Sequence, residues 1–213
     1  KIELLILGGS WTAYTATYRE WFIRRCFEAL NQENPDDDLG EVSLSEVQKT
    51  NSEARHRNVG LVIETRPDLI TIDNLIEMRR QGVTKMQLGI QSMNDEILEL
   101  NKRGHSAEEA EEAIRLVRAA GYKVVVHWMP NLLGARPESD REDFAKLWRE
   151  SGINPDEMKI YPCQLLRNSE LYQYWLRGEY KPYTEEELID LLADIKPTVP
   201  RFCRINRIIR DIP

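Results

Sequence analysis

Two residues with ionisable side chains, Glu64 and Arg66, follow a short apolar run at 59–63. A run of this length and composition is typical of a buried parallel strand, and Pro67 ends it because proline cannot donate a hydrogen bond to the ladder. Both side chains are therefore predicted to lie at the carboxyl end of a core strand, where β/α barrels carry their chemistry. A carboxylate there can accept hydrogen bonds from ligand hydroxyl groups, such as those of a ribose, or it can pair with Arg66.

Four further apolar runs also end in polar residues or glycines, which predicts a single convergent site. The residues concerned are Gly8, Gly9 and Ser10 after the first run, Gln91 and Ser92 after the run at 85–90, His127, and Lys159 with Tyr161. Two adjacent glycines let backbone amides approach a carboxylate or phosphate, although such a pair is more often a plain tight turn. A lone histidine at a strand end is likewise more often a core residue with satisfied hydrogen bonds than a base. The joint placement of these residues at strand ends is what indicates a site.

A compact cationic loop, Asn-Lys-Arg-Gly-His at 101–105, follows a short predicted helix. Its guanidinium, on Arg103, could clamp a carboxylate through paired hydrogen bonds. The alternative is a plain surface turn.

Arginines are clustered although the chain carries a net charge of −7. That charge argues against generic nucleic-acid binding, but screening over about 8–10 Å leaves room for a local basic groove that holds phosphates. The candidate phosphate-binding residues are Arg55, Arg57, Arg201, Arg204, Arg207 and Arg210, of which the last four recur at every third position. The same arginines could instead pair with glutamates on neighbouring helices.

The elements that must position these residues alternate between strand and helix along the chain. Apolar periodicity, capping boxes and stop signals predict helices at 17–30, 43–57, 71–80, 106–121, 140–150, 169–177 and 184–196. The predicted strands are the run from residue 2 and those at 59–64, 84–89, 122–127, 157–161 and 202–209. Strands joined by single helices form a parallel sheet. We therefore predict an α/β fold, either a partial (β/α) barrel or an open doubly wound sheet, in one domain spanning 1–213.

Composition bounds the class of protein. Hydrophobic residues make up 41% and charged residues 31% of the chain, which is ordinary for a soluble globular domain. No apolar run approaches the roughly 18 residues of a membrane span, and no secretory signal is visible, so a cytoplasmic location is expected. Cys26, Cys163 and Cys203 are far apart and are expected to be small buried apolar residues rather than metal ligands. Because the chain begins directly in a strand and ends in a structured segment, a fragment of a longer protein is expected.

Taken together, these segments resemble the radical S-adenosylmethionine (radical SAM) domain of the Elongator catalytic subunit family, which modifies the wobble uridine of transfer RNA. The motifs that carry the resemblance are Glu-Thr-Arg-Pro-Asp at 64–68, Gly-Ile-Gln-Ser at 89–92 and Asn-Lys-Arg-Gly-His at 101–105. Similar segments at 1–10, 127–132, 159–162, 171–183 and 207–213 extend it over the whole chain in family order. Ser10 stands where threonine is usual, and Trp128 where methionine is usual.

The resemblance implies roles for individual residues. Gly8, Gly9 and Ser10 match the glycine motif that holds the methionine end of S-adenosylmethionine. Glu64, Gln91 and Arg103 match positions that contact the ribose and carboxylate of that cofactor, and Ser92 accompanies Gln91. Lys1 matches a lysine that contacts acetyl-CoA. The catalytic candidates expected at the barrel mouth are His127, Asn131, Lys159 and Tyr161.

The resemblance also implies the cofactors and partners. A four-iron–four-sulfur cluster cleaves S-adenosylmethionine, the deoxyadenosyl radical takes hydrogen from the acetyl group of acetyl-CoA, and the carbon radical adds to uridine in tRNA. The cysteines that hold the cluster lie upstream of the glycine motif in the family, and an acetyltransferase-like domain lies downstream. Both are expected outside this chain, which alone is expected to be inactive. That domain is an expected partner, and the protein is expected to form a homodimer or an Elongator-type assembly. No association with a membrane is expected.

Two other functions remain compatible with the residues. One is a non-catalytic module that binds tRNA through the arginines and lacks its own cluster. The other is a barrel lyase or aldolase that uses Lys159 as a Schiff-base amine.

Overall fold

The computed structural model describes residues 1–32, 42–149 and 152–209. Within these residues the chain forms six β-strands and eight α-helices. The strands are β1 (Ile2–Ile6), β2 (Asn58–Thr65), β3 (Lys85–Gln91), β4 (Lys123–Trp128), β5 (Glu157–Ile160) and β6 (Arg204–Ile208). The helices are α1 (Ala16–Asn31), α2 (Leu44–Asn51), α3 (Ile72–Arg80), α4 (Asp95–Leu100), α5 (Ala107–Ala119), α6 (Pro137–Lys146), α7 (Leu171–Leu176) and α8 (Glu185–Ile195).

The strands form one sheet in the order β1-β2-β3-β4-β5-β6, and every neighbouring pair is parallel. Each strand thus pairs with the next one in the chain, and the intervening helices cover one face. Such a sheet curls toward a barrel, and here it stays an open half-barrel. The predicted alternation of parallel strands and helices is confirmed.

The two faces of the sheet differ in chemistry because successive side chains of a strand point to opposite sides. The outer face packs against the helices and is fully buried at Leu61, Ile63, Met86, Leu88, Val124, Val126, Met158 and Ile160. The inner face carries Glu64, Lys85, Gln87, His127, Glu157 and Lys159. The runs that build the core therefore also bring polar groups to the concave side.

Three register shifts, in the pairs β1–β2, β3–β4 and β5–β6, displace residues from the simple alternation. Val59 lies between the pairs Ile2–Asn58 and Glu3–Gly60 and is 54% exposed, so the prediction that the buried run begins at residue 59 is wrong. A second shift lies in β3 before Gln91, whose φ is 67°.

Most predicted elements are confirmed within a few residues, including the capping boxes at Ser43, Ser106 and Thr184. The helix predicted to reach Arg57 ends at Asn51 instead. The Asn51 side chain accepts a hydrogen bond from the Asn58 amide at 2.7 Å and donates to the His56 carbonyl at 3.3 Å, which turns the chain into β2.

Helix α6 begins at Pro137 rather than Asp140, because a proline is well suited to the first turn of a helix. Its predicted end at Glu150, and most of the predicted loop at 31–40, lie outside the described residues. None of the helices in the described ranges has the length and apolar character that crossing a membrane requires.

Candidate active site

The concave face of the half-barrel encloses a cavity of about 950 Å³. It extends from the amino ends of the strands, at Glu3, to the glycine turn after β1 at their carboxyl ends. The predicted site residues that line it are Gly8, Gly9, Glu64, Gln91, Arg103, His127, Lys159, Tyr161, Arg204 and Arg207. The polar strand ends therefore meet in one place, while the roles of the individual residues stay predictions.

The glycine turn leaves open space beside its backbone. Gly8 has a φ of 107°, in the region that side chains rarely adopt. A Cβ atom added at Gly8 or Gly9 would meet no atom within 4 Å, so a ligand can approach both backbones closely. Ser10 does not line the cavity; it precedes a single 3₁₀ turn at Trp11–Ala13, and its carbonyl accepts from the Ala13 amide.

Gln91 and Arg103 meet above Gly89 at the carboxyl end of β3. Gln91 Oε1 and Arg103 Nε are buried and have no hydrogen-bond partner in the described part of the chain. A Cβ at Gly89 would lie 2.8 Å from Gln91 Nε2, so the Gln91 amide would have to move, whereas its distance of 3.8 Å from an Arg103 guanidinium nitrogen is an ordinary contact. Burial, and then the nearby Arg66, lower the pKa of Arg103. A bound anion that also carries a hydrogen-bond donor would satisfy both groups.

The loop at 101–105 is held from both sides, so the alternative of a plain surface turn is wrong. The Asn101 side chain donates to the Leu133 carbonyl at 2.9 Å and accepts from its amide at 3.1 Å. His105 is 7% exposed and lies 3.1 Å from the Ile90 carbonyl through Nε2. These contacts fix Arg103 against the cavity.

Glu64 faces the cavity rather than Arg66. The Arg66 guanidinium pairs instead with Asp68, with Nε 2.9 Å from Oδ1, so the alternative of an internal Glu64–Arg66 pair is wrong. Glu64 Oε1 lies 3.9 Å from His127 Nδ1, and the Glu64 side chain is 27% exposed. A carboxylate so placed can accept hydrogen bonds from a ligand.

His127 and Lys159 contact Gln87 in the cavity wall, and Tyr161 lies beside them. Gln87 Oε1 lies 2.9 Å from His127 Nε2 and 2.6 Å from Lys159 Nζ. The Tyr161 ring centroid is 5.6 Å from that of His127, and Lys159 Nζ lies 5.7 Å from the Tyr161 ring. Lys159 and Tyr161 share the inner face, as their alternation with Ile160 predicts.

A charged cluster at the amino ends of the strands was missed by the sequence reasoning. Lys85 Nζ lies 2.9 Å from Glu157 and 3.4 Å from Glu3, and Asn206 donates to Glu157 at 2.6 Å. Burial alone would lower the pKa of Lys85, but the two carboxylates outweigh this effect, so the pKa is raised. The sequence did contain a sign of this cluster, because polar residues occupy alternate positions of β3 and β5. Lys85 and Gln87, for example, interrupt an otherwise apolar core strand.

Ser92 and Asn131 do not line the cavity, and their predicted roles stay predictions. The Ser92 hydroxyl donates to Asp143 at 3.0 Å and accepts from the Asn94 amide. The Asn131 side chain donates to the Cys163 carbonyl and accepts from the Tyr183 amide, both at 3.0 Å. Both side chains bind the surrounding framework, so they help to hold the loops after β3 and β4 in place.

Two aspartates of α6 complete this framework. Asp140 accepts from the Asn131 amide and the Tyr183 hydroxyl, both at 2.8 Å, and burial raises its pKa to about 6. Asp143 accepts from Trp128 Nε1 at 2.9 Å, and burial likewise raises its pKa. Helix α6 thereby fixes the segments that follow β3 and β4.

The predicted phosphate-binding arginines separate into different places. Arg204 and Arg207 line the cavity, whereas Arg201 does not. Arg55 and Arg57 are exposed before the amino end of β2 and do not line the cavity. Lys1 is exposed at the same end and also lies outside the cavity lining. Arg210 lies outside the described residues.

The cysteines do not fit a cluster site. Cys203 is buried, but Cys26 and Cys163 are partly exposed, which corrects the expectation that all three are core residues. Burial raises the pKa of each thiol, that of Cys203 to about 11, whereas cluster ligands are thiolates. Over the described ranges, no three Cys, His, Asp or Glu side chains are arranged to hold a metal ion. We therefore assign no cluster ligand to them.

Family models match nearly the whole chain. Residues 5–153 match the model of the Radical SAM superfamily, and residues 155–213 match the Radical_SAM C-terminal domain. The chain belongs to the radical SAM superfamily. This fold implies S-adenosylmethionine and a four-iron–four-sulfur cluster as cofactors. It also favours the radical enzyme over the Schiff-base lyase that Lys159 alone could suggest.

Curated relatives match over 100% of this radical SAM chain. It is 43% identical over 213 residues to the tRNA uridine(34) acetyltransferase of Methanocaldococcus infernus and 40% identical over 215 residues to that of Dehalococcoides mccartyi. It is 34% identical over 213 residues to Elongator complex protein 3 of Homo sapiens. The matches cover 39%, 45% and 38% of these relatives, so the chain spans about two fifths of their length. The resemblance to the Elongator catalytic subunit family is confirmed.

Solved structures confirm the predicted partial barrel of the radical SAM type. The archaeal Elp3 of Methanocaldococcus infernus with an N-terminal deletion superposes with a TM-score of 0.90 at 42% identity, covering 99% of this chain and 48% of that one. Coproporphyrinogen III oxidase (HemN) from Escherichia coli gives a TM-score of 0.56 at 17% identity, covering 93% of this chain and 51% of that one, which shows the fold alone.

Proposed function

We propose that the protein containing this chain modifies uridine 34 of tRNA, and that this chain is the core that binds S-adenosylmethionine. Acetyl-CoA is the acyl donor in this proposal. The support is the 43% identity over the whole chain to a protein named tRNA uridine(34) acetyltransferase, together with a cavity on the concave face whose lining includes polar residues at the carboxyl ends of the strands.

The observation that carries the cofactor assignment is the pair of buried polar atoms without partners, Gln91 Oε1 and Arg103 Nε. A carboxylate bound by Arg103 would balance a buried positive charge that burial and Arg66 make costly. An ammonium or hydroxyl group of the same ligand would donate to Gln91 Oε1. S-adenosylmethionine carries all these groups, and Glu64 is placed to accept from its ribose hydroxyls.

Gly8 and Gly9 complete this part of the cavity. Their backbones border open space, so the methionine end of the cofactor can lie against them without a side-chain clash. When bound, S-adenosylmethionine supplies a deoxyadenosyl radical. The chain itself contributes binding, orientation and exclusion of water.

His127, Lys159 and Tyr161 would contact the acyl donor and the uracil in this proposal. His127 lies on β4, Lys159 on β5 and Tyr161 directly after β5, and Glu64 lies 3.9 Å from the His127 imidazole. Rigid strand ends hold such side chains more precisely than loops do. Lys1, at the opposite end of β1, would contact acetyl-CoA outside the cavity.

Calorimetric titration of the full-length protein with S-adenosylmethionine tests the cofactor assignment. Arg103→Met should weaken binding by about 100-fold, because it removes a charged hydrogen bond to a carboxylate and leaves the ligand charge buried. Glu64→Ala should weaken it by roughly tenfold. The matched control is Arg115→Met, which removes an exposed guanidinium on α5 that pairs with Glu112. Unchanged affinity in Arg103→Met and Glu64→Ala contradicts the assignment.

Mass spectrometry of nucleosides from tRNA treated with the full-length enzyme tests the reaction. Carboxymethyl-type uridine that requires both S-adenosylmethionine and acetyl-CoA is the expected result. If the protein binds tRNA but releases no deoxyadenosine and leaves the uridine unmodified, the non-catalytic tRNA-binding module is the better description.

The relatives named Elongator complex protein 3 support an Elongator-type context for the full-length protein. We infer that an acetyltransferase-like domain of the same protein covers the cavity, and that the protein acts in the cytoplasm, alone or as a homodimer.

A further inference from the structure

The amide of Gln87 joins two residues of the cavity wall. Gln87 is 3% exposed on the inner face of β3. Its Oε1 atom lies 2.6 Å from Lys159 Nζ on β5 and 2.9 Å from His127 Nε2 on β4. One acceptor atom of β3 thus contacts side chains of two further strands, and both contacts are within hydrogen-bond distance.

The orientation of this amide follows from the chemistry of its partners. A lysine ammonium carries three donors and no acceptor, so the atom of Gln87 that faces Lys159 must be the oxygen. The same oxygen faces His127 Nε2, and an amide oxygen can only accept. Nε2 must therefore carry a hydrogen, in the neutral as well as in the charged imidazole.

We propose that Gln87 is a positioning residue that fixes His127 as the Nε2–H tautomer, so that Nδ1 is the nitrogen that takes up and releases a proton. Nδ1 is the nitrogen on the side of Glu64, 3.9 Å from Oε1. The proton that His127 exchanges is thereby directed to the Glu64 side of the cavity and away from Lys159.

In the described part of the chain, groups near the imidazole come from at least three strands. They include Glu64 of β2, Gln87 of β3, and Lys159 and Tyr161 at β5 and directly after it. The contacts of Gln87 Oε1 set the tautomer whichever cofactor the cavity holds.

Histidine-selective ¹⁵N labelling of the full-length protein tests the proposal, because the two ring nitrogens of a neutral imidazole have well-separated ¹⁵N shifts. The His127 signals are assigned by their loss in His127→Asn. Above the pH at which His127 loses its charge, we expect a protonated Nε2 and an unprotonated Nδ1. A spectrum dominated by Nδ1–H, or an even mixture, overturns the proposal.

Substitutions of Gln87 test whether this residue is the cause. Gln87→Leu should lower the ratio of Nε2–H to Nδ1–H by roughly tenfold, the effect of about one net hydrogen bond. Gln87→Glu retains an acceptor for both donors and should keep the Nε2–H form, which also decides the question if Gln87→Leu does not fold. An unchanged ratio in folded Gln87→Leu, or loss of the Nε2–H form in Gln87→Glu, overturns the role of Gln87.

A matched control is Gln81→Leu. Gln81 is also a buried glutamine, 2% exposed, and its oxygen accepts from Trp11 Nε1 at 3.2 Å, away from the cavity. Its removal should lower stability without changing the His127 tautomer. A change in the tautomer there would show that general loosening of the fold produces the effect, which contradicts the specific role of Gln87.

Discussion

Arg204 and Arg207 line the same cavity although they lie three positions apart on one strand. In a regular strand this spacing would place them on opposite faces. The register between β5 and β6 shifts by one residue, because Met158 pairs with Ile205 whereas Lys159 pairs with Arg207. Both arginines therefore lie on the inner face, beside Glu157 and Lys159.

This arrangement predicts how the arginines affect RNA binding. Arg204→Glu with Arg207→Glu should weaken tRNA binding to the full-length protein and lower the slope of log affinity against log salt by about two, one for each lost phosphate contact. Filter binding over a range of salt concentrations measures both effects. Arg80→Glu with Arg115→Glu, on exposed positions of α3 and α5, makes the same change in net charge. An equal loss in this control would indicate a long-range charge effect rather than contact.

The register shift also shows what the sequence could and could not predict. Apolar runs ending in polar residues identified the strands and the end of the sheet that carries Glu64, Gln91 and His127. The spacing of arginines suggested a stripe, but only pairing with β5 determines which of them face the cavity. Register depends on the neighbouring strand, so the exposure of Val59 was equally invisible in its own segment.

Loop side chains were the least predictable part of the site. Asn131 follows a strand end, as the cavity-lining residues do, but its side chain bonds to Cys163 and Tyr183 in neighbouring loops. By contrast, Lys85 and Gln87 could have been found, since they occupy alternate positions of a strand whose other residues are apolar.

Gly89→Ala should weaken S-adenosylmethionine binding by roughly five- to tenfold. The new methyl group would lie 2.8 Å from Gln91 Nε2, so the amide must move, at the cost of about one hydrogen bond to the ligand. Calorimetry on Gly89→Ala, Gln91→Ala and the double variant forms a cycle. In the Gln91→Ala background, Gly89→Ala should weaken cofactor binding little further. If the two losses of binding free energy were fully additive, Gly89→Ala would act by a route other than the Gln91 amide.

The pH dependence of folding should carry the signature of Asp140. Its pKa rises from 3.8 to about 6 in the fold, so it stabilises the native state below about pH 4, and this contribution is lost as the pH rises through 6. The shift corresponds to roughly 3 kcal/mol. Asp140→Asn keeps an oxygen for the Asn131 amide and the Tyr183 hydroxyl and should remove this loss. Urea unfolding at pH 4 and pH 7 measures the change in the free energy of unfolding. An identical pH dependence in the parent protein and Asp140→Asn would contradict the raised pKa of Asp140.

Asn131→Ala should destabilise the fold rather than impair binding in the folded protein. It leaves the Cys163 carbonyl and the Tyr183 amide without their partner, and places alanine at a φ of 67°, for a total of roughly 3–4 kcal/mol. Asn131→Gly removes the same hydrogen bonds without the backbone strain, so it should be about 1 kcal/mol more stable than the alanine variant. Denaturant unfolding gives both values, and calorimetry at low temperature gives the cofactor affinity of the folded fraction. Near-native stability combined with lost activity would instead support Asn131 as a catalytic residue.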